Sequence, residues 1–317
     1  MELGEFAQRA SETDRTEDPA KGLQIALHGL AGESGSVVSE AKKWYREGDG
    51  RAPGLAARIE EELGDLLWYV ASVANRVGLR LDEIAEKNLE KTAQMWATET
   101  PPPSRYDADW PEVQRLPRLM VVRLVEKRSG PFPVVQMEPL GELAARVARE
   151  RERKGLGDPL NDNSALDDGY RYHDVIHLAH AAVLGWSPVL RALMGAKRKG
   201  KREEGTPDTD RIQDGARAIA AEEGLAAFVF NYLEPDGFLE HDDRLPWELL
   251  KHIRRTVQGL EVQDQPPVAW ERTYLQAFAV FRALNAAGGG VVEADLDAQE
   301  IRIRDLGPQG PEAKSSD

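Results

Sequence analysis

The sequence predicts a mostly α-helical protein of two domains, the second carrying a small antiparallel β-sheet. Three observations lead there. Apolar residues recur at three- and four-residue spacing through 23–45, 58–96 and 212–232, the period of a helix with one buried face. Two-residue alternation, the mark of a half-buried strand, is confined to 119–137 and 289–304. Between the two patterned regions lies 99–117, rich in proline and acid, which reads as a stiff, extended linker. A chain of 317 residues also exceeds the usual single-domain size. The expected division is a helical domain at 1–98, the linker at 99–117, a helical domain with a small sheet at 118–306, and a disordered tail at 307–317.

In order, residues 1–20 hold a short amphipathic segment (Leu3, Phe6, Ala7, Ala10) and then a polar turn. Segment 23–45 is helical despite Gly29, Gly32 and Gly35, each of which lowers helix propensity by about 1 kcal/mol relative to alanine. Their use is close approach of another helix or of a ligand. A Gly-rich loop at 46–54 leads to a helix around Glu62 and Asp65, a break at Gly78, and a further helix from Leu81 to Trp96. Beyond the linker, LMVVRLVEK and PVVQM are two strands, 140–154 is helical, and 155–169 is a polar loop. Helices follow over 170–193, 212–232, 246–262 and 270–285. The chain closes with a β-hairpin, VVEADLDAQEIRI, whose natural sheet partners are the two earlier strands.

Composition excludes several classes. With 41% hydrophobic and 30% charged residues the chain can bury a sizeable core. A formal net charge of −14 argues against general binding of nucleic acid or anionic membranes. Absence of cysteine removes disulfides, thiolate nucleophiles and zinc–thiolate sites. No apolar run approaches the ~20 residues of a membrane span, and the first residues lack a signal-peptide core, so a cytoplasmic location is expected. Neither a P-loop, a Rossmann fingerprint nor a serine-hydrolase elbow is present. The basic run Lys197, Arg198, Lys199, Lys201 and Arg202 is followed at once by Glu203 and Glu204, which reads as a solvated loop.

The two halves echo each other. Glu33 and Ser36 match Asp174 and His177 in spacing, and RIEEELGDLLWYV parallels RAIAAEEGLAAFVFNY, with Glu62 on Glu222 and Asp65 on Leu225. Either a helical unit has been duplicated and its second copy has lost one acid and gained histidines, or two unrelated amphipathic hairpins happen to correspond.

Two constellations carry chemistry. In the first, Glu33, Ser36 and Glu40 share one helix face, and Glu62 and Asp65 share another. Acids at the edge of an apolar face are costly unless something positive compensates them. Hard oxygen ligands suit Mg²⁺ or Mn²⁺, which hold phosphate oxygens and activate water. The bland alternative, a solvated first turn favoured by the helix dipole, fits Glu60 and Glu61 better than Glu62 and Asp65.

The segments GLAGESGSVVSEAKK and EELGDLLWYVASVANRVGLRLDEIAEKNLEKT resemble the MazG-like all-α nucleoside triphosphate pyrophosphohydrolases, over about residues 1–98. The motif of that family is Glu-x-x-Glu followed by Glu-x-x-Asp. Here the second pair is intact as Glu62 and Asp65; the first begins with Glu33 but has Ser36 as its second member. The resemblance implies Mg²⁺-dependent (or Mn²⁺-dependent) cleavage of a (deoxy)nucleoside triphosphate to monophosphate and pyrophosphate. Glu33, Glu62 and Asp65 are then catalytic and metal-binding, with Glu40 a further ligand one turn beyond Ser36. Asn88 and Lys91 match the family's Asn and Lys on the following helix and fall to phosphate or sugar contact, as does Lys43. Small MazG-like units typically dimerise, so a homo-oligomer, or a pseudo-dimer with the second half as internal partner, is expected.

The second constellation is DDGYRYHDVIHLAH, where His173, His177 and His180 form one stripe with Asp174 alongside. Glu222 and Glu223 are placed to face them, giving a set suited to Mn²⁺, Fe²⁺ or Zn²⁺; the alternative is a satisfied core. Asn161, Asn163, Asp167 and Asp168 upstream would cap this helix or line the same cleft. Two rivals to the hydrolase reading follow: a nucleotide-sensing protein with weak catalysis because of Ser36, or an enzyme whose main chemistry lies at His173–His180.

Overall fold

The structure, a computed structural model, describes residues 1–46, 54–129, 132–150, 155–198 and 214–305. The expected loop at 46–54, the turn at Gly130–Pro131, most of the basic run and the tail at 307–317 lie largely or wholly outside them. The chain forms two compact units, Met1–Trp96 and Ala97–Asp317.

The first unit is all helical: α1 (Leu3–Thr13), α2 (Pro19–Arg46), α3 (Leu55–Arg76) and α4 (Leu81–Met95). The long helices α2 and α3 lie along each other, and α1 packs on α3 and α4. Their buried apolar cluster is small, Ala7, Ala10, Ala71 and Leu81, with Phe6, Trp68 and Val70 against it. Polar contacts supplement it. Asp14 accepts hydrogen bonds from Ser72 Oγ (3.0 Å) and Arg76 (2.5 Å), and Trp68 Nε1 donates to Thr13 Oγ1 at 2.8 Å. Burial would raise the Asp14 carboxyl, but the Thr16 amide, Arg76 and Ser72 hold it below its usual value. Of the four α2 glycines, Gly22 and Gly29 meet α3: a Cβ would overlap the Arg76 guanidinium at the first and the Tyr69 ring at the second, whereas Gly32 and Gly35 face open space. Ile25, Leu27, Val38, Leu63, Leu67 and Leu89 stay exposed.

The second unit is built on a five-stranded antiparallel sheet: β1 (Leu119–Ser129), β2 (Phe132–Pro139), β3 (Leu156–Leu160), β4 (Gly289–Asp295) and β5 (Glu300–Asp305), in the order β3-β2-β1-β4-β5. The closing hairpin pairs with β1 in a register that sets Met120 opposite Ala294 and Val122 opposite Val292. The period-2 rule then puts Met120, Val122, Leu124, Val292 and Ala294 on one buried face. Against that sheet pack α6 (Asp174–Leu184) and α10 (Pro267–Ala287). The remaining helices are α5 (Gly141–Glu150), α7 (Pro188–Leu193), α8 (Ala216–Leu233) and α9 (Trp247–Thr256). All residues of α6 are buried, its polar stripe of Asp174, His177 and His180 included.

Four expectations are corrected. The polar loop at 155–169 begins as β3, an edge strand on which Pro159 is tolerated because no further strand needs its missing N–H. The helix over 170–193 breaks at Gly185 (φ 67°), where a Cβ would overlap the Ser104 carbonyl oxygen, and restarts as α7 behind Ser187, whose side chain caps it. Residues 104–118 do not tether; they are built into the second unit. Asp107, 1% exposed, accepts hydrogen bonds from the Leu116 amide, Arg118 and Arg191, each at 2.7 Å. Arg198 is not solvated: it is buried between Asp214 and Glu261. The correspondence between halves also stops short of packing, since α2 lies along α3 whereas α6 lies chiefly along α10 rather than α8.

Candidate functional site

Glu33 projects from α2, and Glu62 and Asp65 from α3, one turn apart. Because the two helices lie along each other, the three carboxylates converge, each offering an oxygen within 4.8 Å of the others'. Glu33 and Glu62 are half-buried and Asp65 exposed. Among the described residues no side chain donates a hydrogen bond to any of them. The electrostatic consequence shows at Glu62, whose carboxyl is raised by burial and then by the negative charges of Glu33, Glu40, Glu61 and Asp65. A divalent cation fits this donor set. Oxygens sharing one Mg²⁺ at ~2.1 Å lie about 3–4.2 Å apart, within side-chain rotation of the spacing here.

Glu40 stands apart from the three. It is 5% exposed, ion-paired with Lys43 and with Arg58 (2.7 Å), and hydrogen bonds from these two hold its carboxyl below the usual range. Its oxygens are therefore committed, and so is Lys43. Ser36 is half-buried, and Asn88 and Lys91 are exposed on α4.

The second constellation comes together in the core of the second unit. The rings of His173 and His177 lie 5.7 Å apart and those of His177 and His180 6.2 Å apart. Glu222, fully buried on α8, is the hub. Its Oε1 accepts hydrogen bonds from His177 Nδ1 (3.0 Å), His180 Nδ1 (3.1 Å) and Ser187 Oγ (2.7 Å), and its Oε2 from the Val189 amide (2.8 Å). Burial would raise this carboxyl, but His177 and its other donors lower it to about 2. For His177 burial would lower the ring, yet Glu222 and Glu223 raise it to about 10. His180 is lowered by burial and is saturated, because its Nε2 accepts from the Tyr274 hydroxyl at 3.1 Å.

His173, at the head of α6, donates Nδ1–H to the Tyr170 carbonyl (2.9 Å) and stacks on the Tyr170 ring at 4.3 Å. Burial lowers His173 and raises Asp174. His177 Nε2 is buried without a hydrogen-bond partner; Glu223 Oε2 lies 3.4 Å away, out of line for one. Of the upstream acids, Asp168 caps the turn before α6 through the Tyr170 amide, and Asp167 and Asp162 hold Arg171. Sequence reasoning missed Ser187, Tyr274 and Asp162. Ser187 had a signal, since Ser-Pro is a helix-start signature; Tyr274 and Asp162 had none.

Two family profiles match the chain. The profile of the MazG nucleotide pyrophosphohydrolase domain matches residues 22–95, and that of the MazG C-terminal domain matches residues 101–307. The Gene 37 protein of Mycobacterium phage L5 is 36% identical over 75 residues, 23% of this chain and 66% of that protein, so the chain covers just under two thirds of that relative. No solved structure matches. Among the described residues no helix is long and apolar enough to cross a membrane. The chain belongs to the MazG family, with a nucleotide pyrophosphohydrolase domain in its first unit.

Proposed function

We propose that this MazG family member hydrolyses (deoxy)nucleoside triphosphates to nucleoside monophosphate and pyrophosphate, with Mg²⁺ or Mn²⁺ held by Glu33, Glu62 and Asp65. The observation that carries the proposal is the convergence of three carboxylates from two helices, one oxygen of each within 4.8 Å of the others' and with no hydrogen-bond donor to them among the described residues. A bound divalent ion supplies charge neutralisation of the phosphates and a more acidic water. The chain's own residues do the rest. One carboxylate of the first unit that does not hold the ion would take the proton from the attacking water. Water adds to the α-phosphorus, the α–β anhydride bond breaks, and pyrophosphate leaves. Lys91 and Asn88, exposed on α4, are assigned to phosphate and sugar contact. The apolar residues left exposed on α2 and α3 are the surface a second copy would cover.

A panel of ribo- and deoxyribonucleoside triphosphates with Mg²⁺ or Mn²⁺, assayed for pyrophosphate, tests this reading. Release that disappears in Glu62→Ala and Asp65→Ala supports it. Release from no nucleotide, or release indifferent to both substitutions, counts against it. Tight nucleotide binding without turnover would favour the sensing alternative, which the serine at position 36 motivates.

A further inference from the structure

We propose that His173, Asp174 and His177, with Glu223 at the rim, form a second metal site, in the second unit, for one first-row divalent transition ion. The inference does not rest on the hydrolase reading. It begins from which nitrogen of each histidine is already spent. The Tyr170 carbonyl can only accept, so His173 Nδ1 carries the proton and leaves Nε2 as a lone pair. The Glu222 carboxylate accepts from His177 Nδ1 in the same way, and an ion that takes Nε2 displaces the proton the free ring holds there. Ring nitrogens anchored to a carbonyl or a carboxylate, with the opposite nitrogen unspent, are the arrangement that orients metal-ligating histidines.

The unspent atoms are then close together. His173, Asp174 and His177 each offer a ligand atom within 4.8 Å of the others'. His177 Nε2 is buried with no hydrogen-bond partner, a costly state for a polar atom unless something else engages it. Asp174, 8% exposed, accepts no hydrogen bond among the described residues. Glu223 Oε2 lies 3.4 Å from His177 Nε2, and its side chain is 45% exposed. Tyr170, stacked on His173 and edge-on to Phe230, fixes the ring at the head of α6.

The other members of the stripe are excluded by the same accounting. Glu222 already takes four hydrogen bonds, and both nitrogens of His180 are used. These two hold α6, α7 and α8 together and position His177; they do not ligate. What remains is two imidazole nitrogens and one or two carboxylates, a donor set that favours Zn²⁺, Mn²⁺ or Fe²⁺ over the all-oxygen preference of Mg²⁺.

Co²⁺ is the probe, added to the full chain carrying Glu33→Gln, Glu62→Gln and Asp65→Asn so that the first unit's carboxylates do not compete. Expected are one equivalent of Co²⁺ by mass spectrometry and visible bands of a nitrogen-ligated ion. Asp174→Asn or His173→Ala added to that background should weaken binding about tenfold or more. Glu223→Gln should shift the bands without unfolding the protein, since its side chain sits at the surface; circular dichroism checks the fold of each variant. No retained Co²⁺, or the same affinity and spectrum with Asp174→Asn and with Glu223→Gln, would overturn the assignment.

Discussion

Glu62 and Glu222 fall on each other when the two halves are aligned by sequence, yet their surroundings are opposite. Glu222 is fully buried and accepts hydrogen bonds from His177, His180, Ser187 and the Val189 amide. Glu62 is half-buried, takes no hydrogen bond among the described residues, and has four carboxylates acting on it. One carboxyl is lowered to about 2 and the other raised. A satisfied charge is an anchor; an unsatisfied one near the surface is a demand for a ligand. The units differ in the same sense. A small cluster of alanines and one leucine supports the carboxylates, whereas a large continuous core surrounds the histidines.

Removing the anchor should have the largest effect. Glu222→Ala strands two buried histidines and a buried backbone N–H, and denaturant unfolding should show a loss of about 3–5 kcal/mol. Glu62→Ala should cost no stability by the same measure. Equal losses from both would erase the distinction.

In activity the order reverses. Asp65→Ala and Glu62→Ala are expected to lower pyrophosphate release by about 10²-fold or more, with circular dichroism unchanged.

The helix pair that brings the carboxylates together offers a smaller test. Gly29→Ala forces a Cβ into the Tyr69 ring and should cost about 1–3 kcal/mol. At Gly32, where a Cβ meets nothing, alanine should add up to about 1 kcal/mol of stability.

The smallest effect expected is on pH dependence. With its carboxyl raised, Glu62 binds a proton more tightly folded than unfolded, so its contribution falls as pH rises through that value. In metal-free protein the stability of wild type relative to Glu62→Gln should therefore improve as pH drops from 7 toward the carboxylate range. Asp14, whose lowered carboxyl has the opposite slope, is present in both proteins and cancels.

Much of this was legible in the sequence because it depends on period and spacing. The helices of the first unit, the closing hairpin with its pairing to the earlier strands, and the Glu-x-x-Asp turn are all local patterns. What was not legible depends on partners far along the chain. Residues 104–118 look like a linker until Arg191 and Arg198 are seen to reach them. Glu40 looks like a ligand until Arg58, 18 residues away, is found against it. That Glu222 anchors rather than ligates follows from Ser187 and Val189, more than thirty residues upstream. Spacing on one helix says which groups can meet; which of them are already satisfied is decided by tertiary contacts.

The central claim is that nucleotide cleavage belongs to the carboxylates of the first unit. Pyrophosphate release from nucleoside triphosphates, followed with and without Mg²⁺ in the full chain and in the folded Glu33→Gln, Glu62→Gln, Asp65→Asn variant, tests it most directly. The expected result is Mg²⁺-dependent release by the unaltered chain and none by the variant. Release that persists undiminished in the variant would contradict it.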